Sequence, residues 1–184
     1  MTLAVDRIES TAAERANLLL FAALAGCVSL TARGPNSWRA IALTVGVGAS
    51  ALLAPNDRDQ RAPLRVCVTA LAVGIAAFAI VRTRSVYLPG VATLAGGAGS
   101  LVGAVAEEFF FRRLVYDGLA RWGAPIAIIG AALAFAAVHV PVYGFAVLPI
   151  DITAGLILGW QRWSTGTVTV PALTHVAANL LVIV

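Results

Sequence analysis

Long apolar runs broken by short polar clusters set the pattern of this chain. Asn17–Thr31 is apolar and stops at Arg33-Gly34-Pro35-Asn36. Trp38–Ala54 is the second run, with Trp38 suited to a membrane interface. The most polar stretch follows at Pro55–Arg65, then a third run, Val66–Val81, closed by Arg82-Thr83-Arg84. From Tyr87-Leu88-Pro89-Gly90 the chain is apolar again up to Arg112, with Gly96, Gly97 and Gly99 in the middle. Glycines in a membrane helix serve close contact or a break. A break is favoured here, with the main fourth helix running from about Ser100 to Ala120. Arg121-Trp122-Gly123-Ala124-Pro125 predicts a tight turn, and the fifth helix runs from Ile126 to about Val140, ended by Pro141-Val142-Tyr143-Gly144. Phe145–Trp160 and Pro171–Val184 are the sixth and seventh runs. The pattern predicts an all-α fold: a polytopic membrane helix bundle of about seven transmembrane segments.

Composition sharpens this reading. Of 184 residues, 60% are hydrophobic and 12% charged, against roughly 45–50% and about 25% in soluble domains. Mean hydropathy is +0.89. The net charge of +4 comes from Arg residues that punctuate apolar runs, so it calls for no nucleic-acid partner. The chain has no Lys, which suggests a GC-rich genome and a bacterial plasma membrane. Cys27 and Cys67 both fall in apolar runs, so neither a disulfide nor a cysteine metal cluster is expected.

Residues 1–16 mix Asp6, Glu9 and Glu14 with Arg7 and Arg15, unlike the positive start of a secretory signal. They are expected to form a cytoplasmic tail. Residues 17–86 then supply three accessory membrane helices, and 87–184 a core that holds the polar chemistry. With the N-terminus inside, Arg7, Arg15, Arg58, Arg61, Arg65, Arg113, Arg121 and Arg162 are inner. Arg33, Arg39, Arg82 and Arg84 are outer. This bias favours N-terminus in and C-terminus out.

Against this background Ala106-Glu107-Glu108-Phe109-Phe110-Phe111-Arg112 stands out. Half of the chain's four Glu lie here side by side. An ionised group near the bilayer centre costs roughly 2.5–3.5 kcal/mol, and such groups are functional-site candidates. Glu108 and Arg112 are i and i+4 and can pair. Glu107 lies about 100° round the helix, so it is left to face a cavity.

The chain's two His, His139 and His175, also lie in apolar runs, and His175 shares a helix face with Asn179. Glu107 lies 16 residues before Gly123 and His139 lies 16 after it. In a helical hairpin both would sit roughly 24 Å from the turn, at equal depth. The last run, about 21 Å long, is shorter than the core of about 30 Å. If Pro171 starts inside the membrane, with Gln161–Val170 dipping inward along a protein-lined cavity, His175 reaches the same level.

Glu107-Glu108-x-x-x-Arg112, Phe135-x-x-x-His139 and His175-x-x-x-Asn179, in this order and all in membrane helices, resemble the CPBP family of intramembrane proteases. That family includes type II CAAX prenyl endopeptidases, bacteriocin-processing proteins and immunity proteins of the lysostaphin-resistance kind. Leu156–Trp160, Thr165-Gly166 and Pro171 resemble the stretch before its last motif. The resemblance covers about residues 100–180. One departure is Arg113, where the family often has Gly.

The resemblance implies proteolysis of membrane-associated or prenylated-type substrates at the bilayer. In a bacterium these would be peptide precursors or other membrane proteins. Glu107 and His139 would activate water, His175 and Asn179 would hold the oxyanion, and Glu108 and Arg112 would support them. A competing reading gives the water to a Zn²⁺ held by His139, His175 and Glu107. The metal-free reading is favoured, because no His-Glu-x-x-His signature is present. A catalytically silent scaffold or immunity protein is the first rival function, opposed by the intact motif set. A small proton-coupled transporter is the second, opposed by the odd span count and the lack of an inverted repeat.

Overall fold

A computed structural model of the protein describes residues 61–84 and 94–183. The expected tail at 1–16, the runs Asn17–Thr31 and Trp38–Ala54, Cys27 and the Tyr87–Gly90 entry to the core lie outside them. The described residues are helical, with no strand among them. Helix α1 spans Leu64–Arg84, and α2 spans Leu94–Glu108. A π-helical stretch, Phe109–Val115, continues α2 into the short α3, Tyr116–Leu119. Helix α4 spans Ala124–Tyr143, α5 Leu148–Thr165 and α6 Thr169–Ile183. The expected all-α architecture therefore holds in the described residues.

Among the described residues two helices are long and apolar enough to cross a membrane: α1 over Leu64–Val81 and α4 over Ala124–Pro141. Leu64, Val68 and Ile80 of α1 point outward, as do Ile126, Ile129 and Leu133 of α4. Their inner faces carry small residues instead, Ala70 on α1 and Ala127, Ala131 and Ala132 on α4. That division suits a lipid solvent, where apolar side chains gain nothing by turning inward and close backbone contact holds helices together.

The glycine-rich start of the core differs from expectation. α2 runs without a break through Gly96, Gly97 and Gly99. Each glycine costs a helix only about 1 kcal/mol relative to Ala, a cost that packing can cover. α2 lies along α6, so of the two uses of membrane glycine the structure shows no break. The irregularity falls later, in the wide turns of Phe109–Val115, a geometry often found at functional sites.

The turns at Gly123 and Gly144 sit where the sequence places them. Gly123 (φ 104°) starts α4, with Pro125 in its first turn. Gly144 (φ 78°) ends α4, three residues later than expected, because Pro141 fits within the last turn. Gly166 (φ 67°) ends α5 in the left-handed conformation that glycine adopts at no steric cost. Gln161–Thr165 is the last turn of α5 rather than an irregular dip. The turn after it is nonetheless enclosed: Thr165, Thr167, Val168 and Val170 are buried. Its polar groups are matched locally. Thr165 Oγ1 donates to the Gln161 carbonyl at 2.6 Å, and the Thr169 amide donates to Thr167 Oγ1 at 3.2 Å. The Ala62 amide donates to the Thr165 carbonyl at 3.0 Å. Backbone away from water needs such partners.

Helices α4 and α5 cross closely. A Cβ at Gly155 would lie 2.7 Å from Ala132 Cα, and one at Gly159 would lie 3.2 Å from Ile128 Cγ2. Gln161 joins three helices: Nε2 donates to the Ala70 carbonyl of α1 and to Thr174 Oγ1 of α6, both at 2.8 Å. We expect Gly155→Val to cost about 1–3 kcal/mol through overpacking, read as a lower thermal midpoint in detergent. Leu133→Val, on the outward face, should stay within about 0.5 kcal/mol of the parent. An unchanged midpoint for Gly155→Val would refute the close-approach account.

Candidate active site

Two successive residues at the end of α2 have opposite surroundings. Glu108 is fully buried, whereas the Glu107 side chain is 25% exposed. Their 100° separation on the helix produces this split. Glu108 faces Arg112 as the spacing predicts, with Oε2 3.2 Å from Nε, both side chains wholly enclosed. None of the three Arg112 nitrogens has a well-directed hydrogen bond. The guanidinium is held by the Glu108 charge and by the Phe135 ring, 5.5 Å from its carbon to the ring centre.

Glu108 does more than the sequence suggests. Its second oxygen, Oε1, lies 3.0 Å from Nδ1 of His175 on α6. A carboxylate only accepts, so His175 donates from Nδ1 and presents Nε2 elsewhere. One buried carboxylate thus ties a cation on its own helical path to an imidazole on another helix.

His139 projects from the last turns of α4. Its Nδ1 donates to the Phe135 carbonyl one turn back, at 2.8 Å, which turns Nε2 outward. Nε2 lies 3.9 Å from Glu107 Oε2, and the His139 side chain is 20% exposed. The equal-depth argument thus pairs the right residues. Phe135 sits between the two imidazoles, its ring centre 4.7 Å from that of His139 and 5.7 Å from that of His175. Phe111 stacks edge-on against it at 5.3 Å. Phe135 therefore spaces the histidines as well as sharing a face with one of them.

Asn179 is one turn beyond His175 on α6. Its Nδ2 donates to the Ser100 carbonyl at 3.1 Å and to Ser100 Oγ at 3.0 Å, fastening α6 to α2. The possible zinc set, His139, His175 and Glu107, is divided. Glu107 and His139 face each other, while His175 turns Nδ1 onto Glu108. Among the described residues no three His, Cys, Asp or Glu side chains converge as a metal site would require. As placed, Glu107, His139 and His175 do not form a ready metal set.

Three polar residues near the site escaped the sequence reading. Asp151 on α5 reaches toward His139. It is the last acid of the chain, alone in the apolar run Phe145–Trp160, and that isolation was a usable signal. Arg162 Nη2 clasps both oxygens of Asp117 at 2.9 and 3.0 Å, and its Nε donates to the Arg112 carbonyl at 3.0 Å. It thereby braces the π-helical stretch. Gln161 is the third. Neither it nor the Arg162–Asp117 pair leaves any periodic trace in the sequence.

Arg112→Met would strand the buried Glu108 charge and should destabilise the protein by about 3–5 kcal/mol. Glu108→Gln added to Arg112→Met removes the stranded charge and leaves His175 an acceptor. The double variant should therefore melt higher than the single one. Melting in the reverse order would show that the pair is not the enclosed ion pair described.

Comparison with known proteins bears on the same segment. No curated protein and no solved structure matches the chain. A family model described as "Type II CAAX prenyl endopeptidase Rce1-like" matches residues 89–181, just over half of the sequence, and spans every residue placed above from Glu107 to Asn179. With that match, the chain belongs to the Rce1-like family of type II CAAX prenyl endopeptidases, an integral membrane protease family.

Proposed function

We propose that the protein is an intramembrane endopeptidase that hydrolyses peptide bonds of membrane-associated or prenylated-type substrates, with water activated by Glu107 and His139. The observation that carries this reading is the half-open pair, Glu107 Oε2 and His139 Nε2 at 3.9 Å, backed by the enclosed Glu108–Arg112–His175 network. Two acceptors that far apart are both within about 2.8 Å of a single water placed beside them.

Glu107 takes a proton from that water. The hydroxide formed adds to the peptide carbonyl carbon, and the carbonyl oxygen becomes an oxyanion. His175, seated on Glu108, donates to this oxyanion from Nε2 when that nitrogen is protonated, and Glu108 offsets the ring's charge. Asn179 assists from the same helix face when its amide turns from Ser100. Glu107 then passes its proton to the leaving nitrogen, the C–N bond breaks, and an amine and a carboxylic acid result. Proton transfer of this kind contributes about 10²–10⁴-fold. An oxyanion donor contributes about 10²–10³-fold. Glu108 and Arg112 act through the residues they hold.

Substrate reaches such a site from the bilayer, so the natural targets are peptide precursors or membrane proteins. The Arg distribution supports an N-terminus on the cytoplasmic side. The absence of Lys supports a bacterial plasma membrane.

The test is cleavage of a peptide library by the protein in nanodiscs. Glu107→Gln and His139→Ala should each lower kcat/KM by about 10²-fold or more. Asn179→Ala should lower it less than either. Activity that survives exhaustive chelation supports direct activation by Glu107 and His139. Loss on chelation with recovery on added zinc would move activation to a metal. Undiminished cleavage by Glu107→Gln would remove Glu107 as the base.

A further inference from the structure

His139 lies between two carboxylates rather than beside one. Glu107 faces its Nε2 edge. On the opposite edge, Asp151 Oδ2 is 3.5 Å from Nδ1. The Asp151 side chain is 14% exposed, and Oδ2 itself is buried without a hydrogen-bond partner.

An acid in the first turn of a helix has an ordinary use, in capping or in complementing the helix dipole. Asp151 is in the first turn of α5, yet no side-chain cap closes that end, and Oδ2 is turned onto α4. The packing shows why so short a side chain reaches. Asp151, Gly155 and Gly159 recur every four residues on one face of α5. The two glycines press that face against Ala132 and Ile128 of α4. This brings the backbone of α5 close to α4 and places the carboxylate beside the His139 ring.

We propose that Asp151 is a positioning residue for His139. It holds the ring from the Nδ1 side with Nε2 aimed at Glu107, and it offsets positive charge on the ring as protons move. At 3.5 Å the contact is longer than a good hydrogen bond, and the Phe135 carbonyl already takes the Nδ1 proton. The carbonyl fixes the ring's tautomer. The carboxylate adds what a neutral carbonyl lacks, a full negative charge at close range in an enclosed setting. This inference rests on the proposed pairing of Glu107 with His139.

The experiment compares Asp151→Asn, which keeps the shape and removes the charge, with Asp151→Glu, which keeps the charge. Both are assayed in nanodiscs on a peptide the parent cleaves, with thermal midpoints measured alongside. Asp151→Asn should lower kcat about tenfold or more, within the worth of the group it serves, and leave KM within about twofold. Asp151→Glu should retain more kcat than Asp151→Asn, and the midpoints should stay close. Parental kcat in Asp151→Asn overturns the proposal, as does equal loss in both variants with lowered midpoints.

If the parent cleaves nothing, the protease reading is what fails. Asp151 is then decided by ¹⁵N-imidazole NMR, which is tractable with only two histidines in the chain. Asp151→Asn should move the ring nitrogens of His139 and spare those of His175. Movement of both alike, or of neither, overturns the proposal.

Discussion

The Glu108 carboxylate is the constraint on which the site depends. Its two oxygens serve two partners, Arg112 at 3.2 Å and His175 at 3.0 Å, and it has no access to solvent. A carboxylate so enclosed is tolerable only when its charge is met on the spot. That requirement fixes the rotation of α2 about its axis and the register of α6 against it. Once Glu108 points inward, its neighbour Glu107 must point about 100° away, toward the half-open side where His139 waits. One residue answers to the fold, and the next is left on the half-open side beside His139.

The rest of the packing keeps that arrangement in place with small contacts rather than with apolar bulk. Gly155 and Gly159 let α5 lie against α4. Gln161 draws α1 and α6 together around α5, and Gly74 of α1 leaves room for it, since a Cβ there would collide with Gln161 and Thr174. Arg162 reaches over to the Arg112 carbonyl and Asp117. Lipid tails compete with apolar side chains for contact, so hydrogen bonds and close backbone approach carry specificity in such a bundle. The polar residues outside the Glu107–His139 pair are therefore concentrated where helices meet.

What the sequence revealed divides along physical lines. Interactions within one helix were legible, because helical periodicity determines them. Glu108–Arg112 followed from the i, i+4 spacing, and the turns at Gly123 and Gly144 followed from residues that favour such geometry. The meeting of Glu107 with His139 was legible for a related reason, since a hairpin with a known turn converts sequence offset into depth. Contacts between helices not joined by a hairpin were not legible. Nothing in spacing tells that His175 will choose Glu108, 67 residues away, or that Arg162 will choose Asp117. The π-helical stretch was invisible because its residues suit an α-helix equally well. The glycine run was misjudged because sequence alone cannot weigh a helix's loss of about 1 kcal/mol per Gly against packing along α6. Asp151 was overlooked although its isolation in an apolar run marked it in the same way that Glu107 and Glu108 were marked.

The charges of the cluster can be counted. Glu107, Glu108 and Asp151 bring three negative charges, and Arg112 brings one positive charge. With both imidazoles neutral and all three carboxylates ionised, the sum is two negative charges in a largely enclosed space. Enclosure penalises uncompensated charge. Peptide hydrolysis asks for matching traffic: one proton leaves the attacking water, and one arrives at the departing nitrogen. With the buried Arg112 cation at its enclosed end and the proposed Glu107–His139 pair at its half-open end, the cluster is arranged to suit that exchange.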